Sequence, residues 1–268
     1  MENLWSKVNY ASYMQCLIDT QIRVYDITKA NISVLRETEV ISQDEYVHLF
    51  NADKLEREIY IGKLQGSRPE VSKVLADGII NAKRVFISSN NIDDNDILEI
   101  NNDAVYLIGN KPVPVQQVSP FVYFKLAEQY TSFYKVKDIR YYYYANMMTR
   151  TEYLNPKGLG KARALHEAYM LDFLKVLFYT AQFQGTQEAL KLLSAFYEQY
   201  TNKTLDIAYY RNLNPASRYN IKMFDKYASY QTDIITSQNL RLIDPSYNEK
   251  ILREFNKLLI ERYLKEYR

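Results

Sequence analysis

Apolar residues recur at helical spacing through much of the first ninety positions. Tyr13, Leu17, Val24 and Ile27 form one such set, and Tyr46, Leu49, Phe50, Leu55, Ile59 and Leu64 form another. The second follows Ser42-Gln43-Asp44-Glu45, where a hydroxyl and two early carboxylates read as a helix N-terminus. Gln65-Gly66-Ser67-Arg68-Pro69 interrupts the pattern, after which Val71, Val74, Leu75, Ile79, Ala82, Val85 and Phe86 mark a third amphipathic helix. Short polar side chains at Ser88-Ser89-Asn90-Asn91 predict its end.

The period then changes. Asp96–Ile100 and Ala104–Ile108 are short β-prone runs around Asn101-Asn102, a pattern that predicts a hairpin with Asp103 at its mouth. Phe121–Phe124, Thr131–Tyr134 and Ile139–Tyr144 are aromatic and β-prone, so residues 96–145 read as a small antiparallel sheet. Helical spacing returns after Asn155-Pro156-Lys157-Gly158: Leu165, Tyr169, Phe173, Val176 and Leu177 on one stripe, then Leu190, Leu193, Phe196, Tyr197 and Tyr200 on another. Asp206–Tyr219 reads as a return strand or loop, and Ile251, Phe255, Leu258, Leu259, Tyr263 and Leu264 define a terminal helix within 246–267. The expected fold is α+β, mostly helical around a small central antiparallel sheet, with a helical region over 1–95, the sheet over 96–150 and a second helical region over 151–268.

Composition narrows the chemistry. The 268 residues can bury a core without covalent staples, and the single cysteine, Cys16, excludes a disulfide framework and a thiolate zinc site. With only His48 and His166, a histidine-rich metal cluster is excluded as well. The 34 basic and 32 acidic residues nearly cancel, so an electrostatic site has to be local. No run of apolar residues is long enough to span a membrane and the N-terminus lacks a signal pattern, so the expected location is cytoplasmic, in a bacterium or a phage-infected cell. Seven glycines, with neither G-x-G-x-x-G nor G-x-x-x-x-G-K-[ST], argue against a Rossmann cofactor or P-loop site. The 26 tyrosines fit either an AT-rich genome or an aromatic binding surface.

Two constellations carry candidate chemistry. Asp103 at a hairpin tip is where a carboxylate can serve Mg²⁺-dependent phosphoryl chemistry, although an aspartate there equally serves the turn itself. The second is Lys135–Arg163, where Lys135, Lys137, Arg140, Arg150, Lys157, Lys161 and Arg163 face only Asp138 and Glu152, a local excess of five positive charges. Tyr134, Tyr141–Tyr144 and Tyr153 interleave them, the residue mixture that grips phosphates and stacks on bases, or else a strand with tyrosines inside and lysines outside. Cys16 has no histidine near it in sequence, and His48 and His166 stand alone, so nucleophilic catalysis has no support.

Read in order, the pieces over residues 70–220 resemble the palm-to-thumb part of family B DNA polymerases. There a helix leads to a hairpin bearing Asp-Thr-Asp-Ser; here the helix to Phe86 leads to Asn101-Asn102-Asp103-Ala104-Val105-Tyr106, with Asp103 at the second aspartate. A basic strand region, the Lys157-Gly158 turn and helices through Tyr200 then follow in the family's order. Asn101 stands at the first aspartate and Glu128-Gln129-Tyr130 at the family's Lys-Lys-x-Tyr element, and no second aspartate-bearing strand is evident. The resemblance implies Asp103 as catalytic residue and metal ligand, with Mg²⁺ as a cofactor unless Asn101 disables the site.

The expectation is a nucleic-acid-binding, polymerase-related subunit or accessory protein of DNA replication, incomplete as a nucleotidyltransferase without another chain. Lys135, Lys137, Arg140, Lys157, Lys161 and Arg163 are the expected nucleic-acid contacts, with primer-template or duplex DNA as the partner, a second protein chain as another, and no membrane. The competing expectation is a protein-protein interaction or structural component, viral in origin, whose tyrosines anchor an interface.

Overall fold

The computed structural model describes residues 9–158, 170–210, 218–223, 226–231, 236, 238, 240 and 246–266. In chain order the elements are β1 (Asn9–Ala11), β2 (Cys16–Leu17), β3 (Ile22–Ile27), α1 (Ala30–Glu37), α2 (Gln43–Asn51), α3 (Lys54–Ser67), α4 (Glu70–Ser89), β4 (Ile97–Asn101), β5 (Ala104–Ile108), β6 (Phe124–Tyr130), β7 (Ser132–Val136), β8 (Ile139–Asn146), β9 (Thr151–Lys157), α5 (Met170–Phe183), α6 (Thr186–Thr201), β10 (Arg218–Met223), β11 (Lys226–Gln231) and α7 (Ser246–Glu266). This is a mixed α+β fold, in two compact units: Met1–Tyr13 with Gln21–Gln129, and Met14–Thr20 with Tyr130–Arg268.

The first unit is a five-stranded sheet, order β1-β4-β5-β3-β6, with α1–α4 inserted between β3 and β4. β4 and β5 are the expected hairpin, and β3 lies antiparallel against β5 with Asp26 opposite Ala104. Helix α4 packs on this sheet through Phe86, stacked on Phe124 at 4.1 Å between ring centroids and tilted against Tyr25 at 5.4 Å. Gly78 brings α1 close to α4, since a Cβ there would lie 2.3 Å from Val34 Cγ1. The expected N-terminus at Ser42 is a capping box: Ser42 Oγ accepts from the Glu45 amide at 3.2 Å, and Glu45 Oε2 accepts from the Ser42 amide at 2.8 Å. Buried Arg23 is satisfied by the carbonyls of Gly109 at 2.9 Å and Lys111 at 2.6 Å.

The expectation of helix through the first ninety residues fails at its start. Residues 9–11, 16–17 and 22–27 are strands. Ile22-Arg-Val-Tyr-Asp-Ile27 is buried at five of six positions because it lies inside the sheet with β5 and β6 as neighbours, so its apolar spacing carries no clean period. The segment expected as one small sheet, 96–145, likewise supplies strands to two sheets: β4, β5 and β6 to the first, β7 and β8 to the second.

The second unit is a four-stranded sheet, order β2-β7-β8-β9, and its core holds residues from α5, α6 and α7. Alternation along β8 sends Tyr141, Tyr143 and Ala145 into that core. There Tyr134 stacks on Phe178 at 4.0 Å, Tyr141 meets Phe255 at 5.2 Å, and Tyr143 meets Phe178 at 5.8 Å. Helices α5 and α6 turn about Gly185, whose φ of 98° suits glycine, and Phe173 stacks on Phe196 at 3.5 Å between them. β10 and β11 pair as a separate antiparallel hairpin. Among the described residues no helix is long and apolar enough to cross a membrane.

Candidate acidic site and nucleic-acid interface

Asp103 sits where the sequence predicts, in the turn between β4 and β5. The turn is tight because Asn102 takes a left-handed φ of 51°, a conformation asparagine tolerates better than most residues. Three hydrogen bonds hold it: the Asn102 amide donates to Asn9 Oδ1 at 3.0 Å, the Lys83 ammonium donates to the Asn102 carbonyl at 2.7 Å, and the Ile27 amide donates to the Asp103 carbonyl at 3.2 Å. The last bond ties the hairpin tip to the end of β3. Asp26, the residue before Ile27, therefore lies beside Asp103 on the neighbouring strand.

β3 thus sets a second aspartate, Asp26, near Asp103 at the hairpin. Asp26 carries the electrostatic mark of the neighbourhood. Its carboxyl is pushed up to about 6, first by burial, then by the negative charges of Asp103 and Glu128, with Lys125 and the Ile27 amide pulling the other way. Glu128, which the resemblance aligned with a basic element, belongs to this acidic group. Burial and the charges of Glu128, Asp26 and Asp103 raise the Tyr106 hydroxyl well above its ordinary range. Lys83 is only 1% exposed, and its ammonium is pushed down to about 8 by burial, partly countered by Asp103. The signal available in the sequence was the β-branched and aromatic content of 22–27 with an aspartate at its end.

Among the described residues, no three histidine, cysteine, aspartate or glutamate side chains come together as a metal-holding group. His48 is on the exposed side of α2, with Nε2 3.1 Å from Glu56 Oε1. Burial pushes the Cys16 thiol up to about 12, which leaves it protonated and unreactive.

The basic stretch resolves into a more specific arrangement in the second unit. The ladders β7–β8 and β8–β9 place Lys135 opposite Arg140 and Arg140 opposite Lys157, so three cations occupy one row across three strands. Asp138 sits in the intervening turn, where Lys137 takes a left-handed φ of 54°. Gly158 closes the far end: its φ is +80° and a Cβ would lie 2.6 Å from the Asp138 carbonyl oxygen, so only glycine lets the chain leave β9 so near the turn. Arg150, at the β8–β9 turn, is at the opposite end of the hairpin. Lys161 and Arg163 lie outside the described residues, as does His166.

The tyrosines divide by strand face. Tyr134, Tyr141 and Tyr143 belong to the core, and Tyr142 on the other face is also fully buried, beside Phe133 at 5.1 Å and Tyr130 at 5.0 Å. These rings cannot stack on bases. Tyr144 and Tyr153, stacked on each other at 5.0 Å, remain accessible, Tyr153 being 38% exposed. The aromatic part of the expected interface thus shrinks to one pair, while its cationic part gains a defined geometry.

No curated protein matches the chain. Residues 1–260, nearly its whole length, match the family described as Bacteriophage PBS1 gene 130 protein, and the chain therefore belongs to that phage protein family.

Proposed function

We propose that the protein is a nucleic-acid-binding, polymerase-related subunit of phage DNA replication. The observation that carries this reading is the row Lys135, Arg140 and Lys157, which sets three positive charges at adjacent-strand spacing where a phosphate backbone can neutralise them together. Buried tyrosines separate neither reading from the other. Tyr130, Tyr134, Tyr141, Tyr142, Tyr143, Tyr200 and Tyr210 fill the protein's own interior, so tyrosine enrichment speaks neither for a protein-binding surface nor for a base-stacking one.

Asp26 beside Asp103 supports the polymerase-related part. Two carboxylates on neighbouring strands suit Mg²⁺, which keeps most of its waters and takes one or two protein carboxylates together with substrate phosphates. Asp26, raised first by burial and then by its neighbours' negative charge, is the kind of group a cation would ionise. The residues therefore fit, and Asp26 and Asp103 would hold the ion. Bound there, it would neutralise phosphate charge during an in-line transfer. The protein's own part is positional: the Ile27–Asp103 and Lys83–Asn102 bonds hold the two carboxylates in one place.

The test is fluorescence anisotropy with a labelled primer-template, a single strand and an RNA hairpin at two salt concentrations, with and without Mg²⁺. Binding should weaken steeply with salt, and replacing Lys135, Arg140 and Lys157 by alanine should lower the slope of log affinity against log salt by about 2 to 3. Absence of binding at low salt, or a slope unchanged in the triple variant, would sink the proposal and leave a protein-interaction module.

A further inference from the structure

At the β8–β9 turn, hairpin residues and Tyr179 of α5 line a cavity of about 230 Å³. Ala145, Met147 and Tyr179 give it apolar surface, and Arg150 and Glu152 give it one charge of each sign. These two charges do not pair. Among the described residues Arg150 makes no hydrogen bond or ion pair, while Glu152 Oε1 accepts from the Tyr143 hydroxyl at 2.8 Å. That donor is neutral, because burial and the Glu152 charge raise the phenol well above its ordinary range. The carboxylate is therefore held in orientation, keeps its charge, and has lone pairs left for a further donor. Asn146 Oδ1 accepts from the amides of Met148 at 2.9 Å and Thr149 at 3.2 Å, which sets the turn that presents Arg150.

We propose that this cavity binds a single guanine nucleotide, with the base against Glu152 and the phosphate on Arg150. A ligand that uses both charges carries an anion at one end and hydrogen-bond donors at the other, joined through an apolar body. The cavity is smaller than the roughly 300 Å³ at which pockets begin to enclose drug-sized ligands, so it takes one flat ring system. Sugar and phosphate then stay at its mouth, where Arg150 is exposed. Guanine is the base whose Watson–Crick edge sets two donors, N1–H and N2–H, side by side toward one carboxylate. Adenine, cytosine and uracil each place an acceptor beside their donor, which the carboxylate repels. The Arg150 guanidinium matches phosphate as a rigid fork of donors, and the Tyr179 ring and Met147 thioether suit the faces of a purine. A free nucleotide and the terminal nucleotide of a strand both present this chemistry. The site lies at the opposite end of the hairpin from the row of Lys135, Arg140 and Lys157, and does not rest on it.

The test is isothermal titration calorimetry of the full chain with GMP, AMP and guanosine, and with two single strands that differ only in a 5′-phosphorylated guanine or adenine at the end. GMP should bind with a Kd below about 1 mM, and at least about tenfold more tightly than AMP. Glu152→Gln, which turns an amide donor toward the guanine edge, should abolish that preference, and Arg150→Ala should bring GMP down to the affinity of guanosine. Both side chains are exposed, so the variants keep the fold, which circular dichroism checks. Tighter binding of GMP than of the guanine-ended strand assigns the free nucleotide as ligand, and the reverse assigns the strand end. No binding of GMP at about 1 mM, equal affinity for AMP, or an unchanged preference in Glu152→Gln would overturn the proposal, whether or not strands bind at the cation row.

Discussion

The Lys83 ammonium donates to the Asn102 carbonyl at 2.7 Å, fastening α4 to the turn that carries Asp103. A buried lysine is an expensive way to hold a turn, and its ammonium is pushed down to about 8 accordingly. Because the folded value lies below the ordinary 10.5, the unfolded chain holds a proton that the folded one sheds between about 8 and 10.5, so this group's contribution to stability rises with pH across that window. Urea denaturation below pH 8 and near pH 10 should show wild type gaining on Lys83→Met as pH rises. A difference between the two proteins that does not change with pH would refute the assignment.

Asp26 works in the opposite direction. Its folded value of about 6 lies above the ordinary 3.8, so the folded protein holds an extra proton between them and stability falls as pH rises through that interval. Asp26→Asn should match wild type below pH 4 and be more stable by roughly 1 to 2 kcal/mol at neutral pH, allowing for solvent screening. Equal stabilities at pH 7 would show that the carboxylate is not under strain.

Gly158→Ala tests the geometry of the cation row. A methyl group 2.6 Å from the Asp138 carbonyl, at a φ of +80°, forces the end of β9 away from the β7–β8 turn. A loss of about 1 to 3 kcal/mol in thermal or urea unfolding is expected, with weaker nucleic-acid binding as Lys157 moves. Full stability in this variant would mean that the turn does not pack as described.

Phe178→Ala probes the core of the second unit. Phe178 stacks on Tyr134 and meets Tyr141, Tyr143 and Phe255, so its removal opens a cavity lined by aromatic rings. The expected loss is about 3 to 5 kcal/mol, read from the urea midpoint. A loss below about 1 kcal/mol would be inconsistent with a fully buried ring at this position.

Local chemistry was legible without a structure. The periodic stripe from Val71 to Phe86 became α4, Ser42 and Glu45 became a capping box, and Asp96–Ile108 became the β4–β5 hairpin with Asp103 in its turn. In each case the signal and the bond that satisfies it lie within a few residues of each other. The excess charge of Lys135–Arg163 was equally a property of the chain, and Lys135, Arg140 and Lys157 are its part with a defined geometry.

Tertiary structure alone decided the rest. Ile22–Ile27 is buried within the sheet, so its pattern could not separate strand from helix; pairing with β5, some eighty residues on, made it a strand and brought Asp26 to Asp103. The tyrosines of 134 and 141–143 were equally fit to stack on bases or to fill a core, and only packing beneath α5 and α7 sent Tyr134, Tyr141 and Tyr143 inward. Periodicity and charge are local and survive in the sequence. Register and burial depend on partners distant in the chain, and those the sequence alone does not pair.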